Sequence, residues 1–312
     1  MKINNYLSKE VRTIINKIKP EIAKDVLEIR LRVNKPLQLT TFMQDFFVKE
    51  TGEITKDYKQ GYYISKKMIE DTFMILTKNS IYAIERQLKE GFLTITGGHR
   101  IGFTGQALVK NGKIETLKNI NSLNFRITKE VQGIGEKIVS QIYNKNSNNI
   151  YNTLIIGPPL CGKTTLLRDL IRIISNGSKK NNILGKKIAL VDERSEVAGS
   201  YEGVPQNDIG AKTDVLDNCP KAEGIMILIR AMAPQVIAVD EIGRKKDVEA
   251  IKEATNAGVK IIATVHGDSL ESVKIRPNIQ DLIQECFFQK YIILDMGKDK
   301  KNIQVVKDIN HL

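Results

Sequence analysis

Gly157-Pro158-Pro159-Leu160-Cys161-Gly162-Lys163-Thr164-Thr165 fits the pattern G-x-x-x-x-G-K-[ST], and its flanks decide what the match means. An apolar run, Leu154-Ile155-Ile156, leads into it. Beyond it Leu166, Leu167, Leu170, Ile171 and Ile174 recur on one face of a helical pattern. Strand, glycine-rich loop, then helix is the context that turns this motif into a structural prediction. The backbone N–H groups of such a loop point inward and cradle a polyphosphate, backed by the positive end of the helix that opens at Lys163. The stretch from Gly157 to Thr165 is therefore expected to wrap the phosphates of ATP. Lys163 would reach the β- and γ-phosphates, and the Thr164 hydroxyl would ligate Mg²⁺. An ordinary Gly/Pro turn is the blander reading. Every fixed position and both flanks favour the phosphate loop.

Two further apolar runs end in carboxylates. Ile188 to Val191 leads into Asp192-Glu193-Arg194-Ser195-Glu196, and Val236 to Val239 into Asp240-Glu241. Both read as buried strands. The second is the better Walker B match, with Asp240 holding Mg²⁺ through water and Glu241 polarising the attacking water. The extra strand before Walker B, together with that glutamate, separates motor ATPases from the GTPase and small-kinase branch of P-loop folds. A third buried run, Lys260 to Val265, is followed by His266 and Gly267. Ligands of parallel α/β sheets bind at the carboxyl ends of strands, so Thr264 and His266 are expected beside the γ-phosphate, with His266 sensing it. Phe287 to Leu294 and Ile303 to Val306 read as sheet-extending strands, and His311 as idle.

At 312 residues, the chain has room for two domains with separate cores. Its 41% hydrophobic and 27% charged residues are those of a soluble globular protein. Charges interrupt Met1 to Arg30, so no signal peptide is expected. Ile225 to Val239 is broken by Arg230, Pro234 and Gln235, and is too short and polar to span a bilayer. Cys161, Cys219 and Cys286 share no close spacing, which argues against a metal site or disulfide framework and suits a reducing cytoplasm. Of the net charge of +12, residues 1–150 carry 25 Lys+Arg against 15 Asp+Glu, or +10. Residues 151–312 carry 23 against 21, or +2. The excess lies away from the nucleotide loop. It suits nucleic acid, anionic lipid or an acidic protein, and equally a solvated lysine-rich surface.

The first half reads as α+β. A helix over Leu7 to Ile18 stops before Pro20, and Val26 to Val33 alternates as a half-buried strand with Arg30 and Arg32 on its polar face. Helical patterns follow from Ser65 and from Ser80, the second ending at Gly91. Gly97, Gly98, Gly102 and Gly105 predict a tight hairpin, with His99 and Arg100 exposed at its turn. Ile120 to Ile127 is a strand-like return carrying Arg126, and Gly133 to Tyr143 a connecting helix. Asn144 to Asn149 is the most linker-like stretch, which sets the expected domains at 1–145 and 146–312.

With these residues assembled, the chain resembles the secretion/traffic ATPase superfamily, the hexameric motors of type II and type IV secretion and pilus machines. The points of contact are the phosphate loop, the acidic box Asp192 to Glu196, Walker B, and a His box from Ala263 to Gly267. More narrowly, it resembles the stage III sporulation AA family of endospore-forming bacteria over nearly its full length. That likeness rests on Glu28 to Arg32 with Pro36-Leu37, Tyr82 to Glu85, Gly97 to Gly102 with Gly105, Asn124 to Ile127, Val191 to Glu196, and Asp240 to Gly243. The resemblance implies a RecA-like ATPase domain behind a smaller α+β domain, and a homo-oligomeric ring, a hexamer, with nucleotide at subunit boundaries. It also implies a cytoplasmic, mother-cell protein held at the outer forespore membrane by membrane-embedded channel proteins. Cys161 departs from the small residue that many relatives carry, and would expose the loop to thiol oxidation.

Within this reading Glu193 or Glu196 orients the active-site network. Charge on the transferring phosphoryl group calls for an arginine, typically from across a subunit boundary. Arg126, Arg100 and Arg194 are the candidates, in that order. Hydrolysis would then shift one domain against the other about the Asn-rich stretch. The rival reading is a P-loop ATPase that binds single-stranded nucleic acid. The basic first half motivates it, and the lack of an aromatic-interleaved basic platform opposes it.

Overall fold

A computed structural model describes residues 2–41, 43–78, 88–89, 91–129, 131–159, 161–295 and 302–308. The helix expected from Ser80, Leu160 of the phosphate loop, and His311 lie outside the described residues. The chain forms two compact units, residues 1–129 and 130–312.

The first unit contains α1 (Lys9–Asn16), α2 (Pro20–Asp25) and α3 (Lys66–Leu76). Its strands are β1 (Glu28–Arg32), β2 (Gln38–Thr40), β3 (Asp45–Val48), β4 (Ile54–Thr55), β5 (Phe92–Ile95), β6 (His99–Lys110) and β7 (Lys113–Arg126). These form one sheet in the order β4-β3-β2-β1-β7-β6-β5, antiparallel throughout. Alternation along β1 buries Ile29 and Leu31 and leaves Glu28, Arg30 and Arg32 half-buried on the opposite face. The apolar face, with Ile101, Phe103 and Phe125, receives Val11, Ile14 and Ile15 of α1 and Ile69, Phe73 and Leu76 of α3. Phe73 meets Phe103 edge-on at 5.7 Å between ring centres. The glycine-rich hairpin turns at Gly97-Gly98 as expected, but His99 points inward. It is buried, and its Nδ1 accepts the Thr128 amide at 3.2 Å.

The second unit starts earlier than the Asn-rich stretch, which does not separate the units. Within the second unit, α4 (Val139–Ile142) runs into β8 (Tyr143–Asn144), which pairs with β9 (Asn149–Ile150). Tyr143 and Ile150 are buried with Ile138, Val139 and Ile142 in that unit's core, fixing both ends of the hairpin. The asparagines serve the turn: Asn144 Oδ1 accepts the amides of Asn146 and Ser147 at 2.9 and 3.2 Å, and Asn148 takes a left-handed φ of 49°. The hinge expected there is replaced by a packed hairpin.

From there the chain alternates strand and helix: β10 (Thr153–Gly157), α5 (Lys163–Asn176), β11 (Ile188–Asp192), β12 (Thr213–Asp217), α6 (Lys221–Met232) and β13 (Val236–Val239). Then follow α7 (Lys245–Asn256), β14 (Lys260–His266), α8 (Leu270–Lys274), α9 (Pro277–Gln284), β15 (Lys290–Asp295) and β16 (Asn302–Asp308). The sheet order is β12-β11-β13-β14-β10-β15-β16, parallel except for β16 against β15. One face packs against α6, α7, α8 and α9 and the other against α4 and α5, with separate apolar clusters on each. At the amino ends of three central strands, Asn152 ties the sheet together. Its Oδ1 accepts the Ile261 amide at 3.0 Å, and its Nδ2 donates to the Phe287 carbonyl at 3.2 Å. Its own carbonyl accepts the amides of Gln289 and Lys290 at 2.9 and 3.1 Å.

Candidate nucleotide site

β10 is buried along its whole length and ends at Gly157, opposite His266 of β14. A Cβ on Gly157 would lie 2.4 Å from Cys161 Sγ and 3.1 Å from Leu294 Cβ, so only glycine lets the loop fold back over the strand end. Gly162 caps α5 at φ +98°, a conformation that side-chain-bearing residues resist. The helix then buries Leu166, Leu167, Leu170, Ile171 and Ile174 and carries Lys163 and Thr164 to the carboxyl edge of the sheet.

Lys163 is only 6% exposed. Its ammonium donates to the carbonyls of Gly157 and Pro158 at 2.8 and 2.7 Å, and lies 3.0 Å from His266 Nδ1. Burial pushes the lysine below its ordinary value, while Cys161, Asp240 and Glu241 pull it back up. An ammonium can only donate, so Nδ1 accepts and the imidazole proton belongs on Nε2. That nitrogen faces Glu241 Oε1 at 3.3 Å, and Arg194 Nη1 donates to Glu241 Oε2 at 3.2 Å. One chain of polar contacts thus joins Lys163, His266, Glu241 and Arg194.

Beside it, Asp240 accepts hydrogen bonds from the Thr164 hydroxyl at 2.9 Å and from the Thr264 hydroxyl. Thr264 in turn accepts the Glu241 amide at 2.8 Å, and its carbonyl accepts the Ile242 amide at 2.9 Å. These bonds hold Glu241 at φ +54°, an unfavourable conformation for a residue with a side chain. A hydroxyl and a carboxylate are hard oxygen donors. They fit Mg²⁺, which takes one or two protein ligands and fills its shell with phosphate oxygens and water. Among the described residues no group of three or more His, Cys, Asp or Glu is placed to hold a metal.

The acidic box is anchored around this centre. Asp192 is 1% exposed and accepts the amides of Glu196, Val197 and Ala198 at 2.9, 3.1 and 2.8 Å. Burial pushes its carboxyl up to about 6, opposed by the Ala198 and Glu196 amides and reinforced by Asp217 and Asp240. Glu193 pairs with Lys221 of α6 and, at 3.6 Å, with Arg244. Burial alone would raise Glu193, but Lys221, Arg244 and Arg194 outweigh it and hold the carboxyl below the ordinary glutamate range. The buried Arg168 of α5 donates to the carbonyls of Val197 and Glu196 at 2.6 and 2.7 Å, fastening the loop to the phosphate-loop helix.

A carboxyl raised on folding binds its proton more tightly in the folded state. The contribution of Asp192 to stability is therefore complete below the ordinary aspartate value of 3.8 and is lost as pH rises through about 6. Urea unfolding is expected to show wild type losing about 2–3 kcal/mol relative to Asp192→Asn between pH 4 and pH 7. Parallel pH curves for the two proteins would refute the assignment.

Lys163, Thr164, Asp240, Glu241, Thr264 and His266 thus meet at one edge, as their positions after successive strands predict. Arg194 joins them within the same chain. Glu193 stands in the neighbouring Lys221–Arg244 cluster, and Glu196 contributes backbone groups to the Asp192 and Arg168 contacts. Arg100 and Arg126 lie in the first unit, opposite one another on β6 and β7. Arg100 stacks over the Phe92 ring at 3.5 Å, and Arg126 Nε lies 3.9 Å from Glu28. Sequence reading missed Lys221, Arg244 and Arg168. Each looks like an ordinary basic residue of a helix or turn, and only the folded chain gives it a partner.

A largely parallel sheet in which β13 is separated from β10 by β14, with the glycine-rich loop following the interior strand β10, has the RecA-like fold. The ATPase DotB of Legionella pneumophila superposes with a TM-score of 0.54 at 15% identity, over 95% of this chain and 78% of that one. The pilus retraction motor PilT, solved with bound ADP, gives a TM-score of 0.54 at 15% identity, over 87% and 75%. Likenesses this remote show the fold alone. The family is shown by sequence: the chain belongs to the sporulation stage III, protein AA family, whose model matches residues 1–311. Stage III sporulation protein AA of Bacillus subtilis (strain 168) is 39% identical over 309 residues, covering 98% of this chain and 94% of that protein.

Proposed function

We propose that this protein is a Mg²⁺-dependent ATP hydrolase acting as a secretion-type motor that energises or assembles the channel between mother cell and forespore. The observation that carries the reading is the convergence of Lys163, Thr164, Asp240, Glu241 and His266 in continuous polar contact at the carboxyl edge of the parallel sheet. Lys163 and the loop amides bind and orient the triphosphate. Thr164 and Asp240 would hold Mg²⁺, which neutralises charge on the β- and γ-phosphate oxygens. Glu241 orients the attacking water and takes its proton, and His266, bonded to both Lys163 and Glu241, links phosphate occupancy to the position of that carboxylate. The first unit, residues 1–129, is assigned to ring and partner contacts and the second, residues 130–312, to the motor, with membrane-embedded channel proteins at the outer forespore membrane as partners. No helix among the described residues is long and apolar enough to cross a membrane.

The test is phosphate release against protein concentration, with mass measured in parallel. A motor whose sites are completed by neighbours gains activity faster than linearly as rings form, and a rate strictly proportional to concentration removes the ring. Arg126 leads the trans-arginine candidates, with Arg100 beside it. Arg126→Ala is expected to lower turnover in the assembled ring by about 10³-fold. Unchanged turnover in both Arg126→Ala and Arg100→Ala would end the trans-arginine assignment. The +10 charge of residues 1–150 keeps one rival open, a nucleic-acid-stimulated ATPase. It predicts stimulation by single-stranded DNA that collapses with added salt.

A further inference from the structure

β6 and β7 continue together well beyond the sheet that holds their bases. β5 pairs with β6 only from His99 to Gly102, and β1 with β7 only from Ser122 to Arg126. The remainder, residues 104–120, is a two-stranded ribbon that turns at Asn111-Gly112. Its two faces differ. Val109 stands directly opposite Ile114, and Ala107 opposite Leu117. Leu117 packs partly on the core of the first unit, but Val109 and Ile114 at the tip are 64% and 51% exposed. The other face carries Lys110 directly opposite Lys113, and Lys118 opposite Gln106.

Each feature is unfavourable in water. Like charges placed opposite one another across a strand pair repel, and a cross-strand aliphatic pair left exposed forfeits the burial that normally stabilises a ribbon. Lys110 is only partly compensated by Glu115, 3.7 Å away. The hairpin from His99 to Arg126 holds five Lys and Arg against that single acidic residue, a net +4. One environment answers both faces together, an anionic bilayer surface. Aliphatic side chains enter the headgroup–acyl boundary there, while lysine stems extend so that their ammonium groups reach lipid phosphates.

We propose that the tip of the β6–β7 ribbon is a direct contact for anionic lipid, seating Val109 and Ile114 in the membrane interface with Lys110, Lys113 and Lys118 on the headgroups. The surface is independent of the nucleotide site, so it stands whether or not the chain hydrolyses ATP.

Co-sedimentation of the full chain with vesicles tests it. Wild type is expected to pellet with phosphatidylglycerol–phosphatidylcholine vesicles, to stay in solution with phosphatidylcholine alone, and to dissociate as salt rises. Val109→Asp/Ile114→Asp and Lys110→Glu/Lys113→Glu should each lower partitioning by about ten-fold or more. Both pairs are exposed, so thermal unfolding should match wild type. Val109→Ser/Ile114→Ser gives a second variant without added charge. Failure of wild type to pellet with anionic vesicles overturns the proposal, including the case where an acidic protein captures the ribbon instead. Unaltered partitioning of both apolar variants also overturns it, because binding would then be charge attraction elsewhere on the chain.

Discussion

Lys163→Ala is expected to abolish retention of ATP while leaving the fold intact. Among the described residues, the ammonium is the full positive charge bonded to carbonyls of the phosphate loop, at 2.8 and 2.7 Å from Gly157 and Pro158. It is held there despite burial that disfavours its charge, so the site already bears the cost of placing it. A hydrogen bond to a charged partner contributes about 1.5–3 kcal/mol, and a γ-phosphate takes more than one from a single ammonium. Loss of affinity by about 10²-fold or more is therefore expected, measured as binding of a fluorescent nucleotide. The truncation removes a polar anchor of the loop and leaves Leu166, Leu167, Leu170, Ile171 and Ile174 of the buried helix face in place, so the urea midpoint should move little. Undiminished nucleotide binding by the folded variant would remove Gly157–Thr165 as the phosphate loop.

Glu241→Gln separates binding from chemistry. The carboxylate meets His266 Nε2 through one oxygen and Arg194 through the other, at 3.3 and 3.2 Å. Glutamine keeps the shape and one acceptor oxygen but has no carboxylate to take a proton from water. Nucleotide binding is expected within a few-fold of wild type, with steady-state turnover lower by about 10²–10⁴-fold, the usual contribution of a positioned general base. In the structure each oxygen takes one of these contacts and keeps a second lone pair to offer water. A γ-phosphate that draws Lys163 off Nδ1 would change what the imidazole offers Glu241. Normal turnover in the glutamine variant would dismiss Glu241 as the water activator.

The phosphate loop, the strand-end carboxylates and the His box were legible because each is a local pattern with a fixed physical meaning. A parallel strand delivers its next residues to the ligand edge, so Asp240 after Val239 and His266 after Val265 could be placed before any contact was known. Residues whose roles depend on distant partners were not legible. Lys221 opens α6 after a segment with no motif, and only folding brings it to Glu193. His99 beside two glycines reads as exposed, yet the turn swings it inward to the Thr128 amide. The Asn-rich stretch shares its composition with flexible linkers, but Tyr143 and Ile150 at its ends bury into the core, and two apolar anchors outweigh six polar residues. β12 carries only partly buried residues at the sheet margin, and so lacks the apolar run that exposes an interior strand in the sequence.

The Asn152 carboxamide gives the parallel sheet a fixed and a free rim. On the side remote from the phosphate loop, it rivets the neighbourhoods of β10, β14 and β15 into one register. Slippage between these strands would break several buried bonds at once, so the sheet behaves as an anvil. If the chain is the motor proposed above, displacement born at the opposite rim would travel outward through Glu193, Lys221 and α6, as a tilt of whole helices and not as shear within the core.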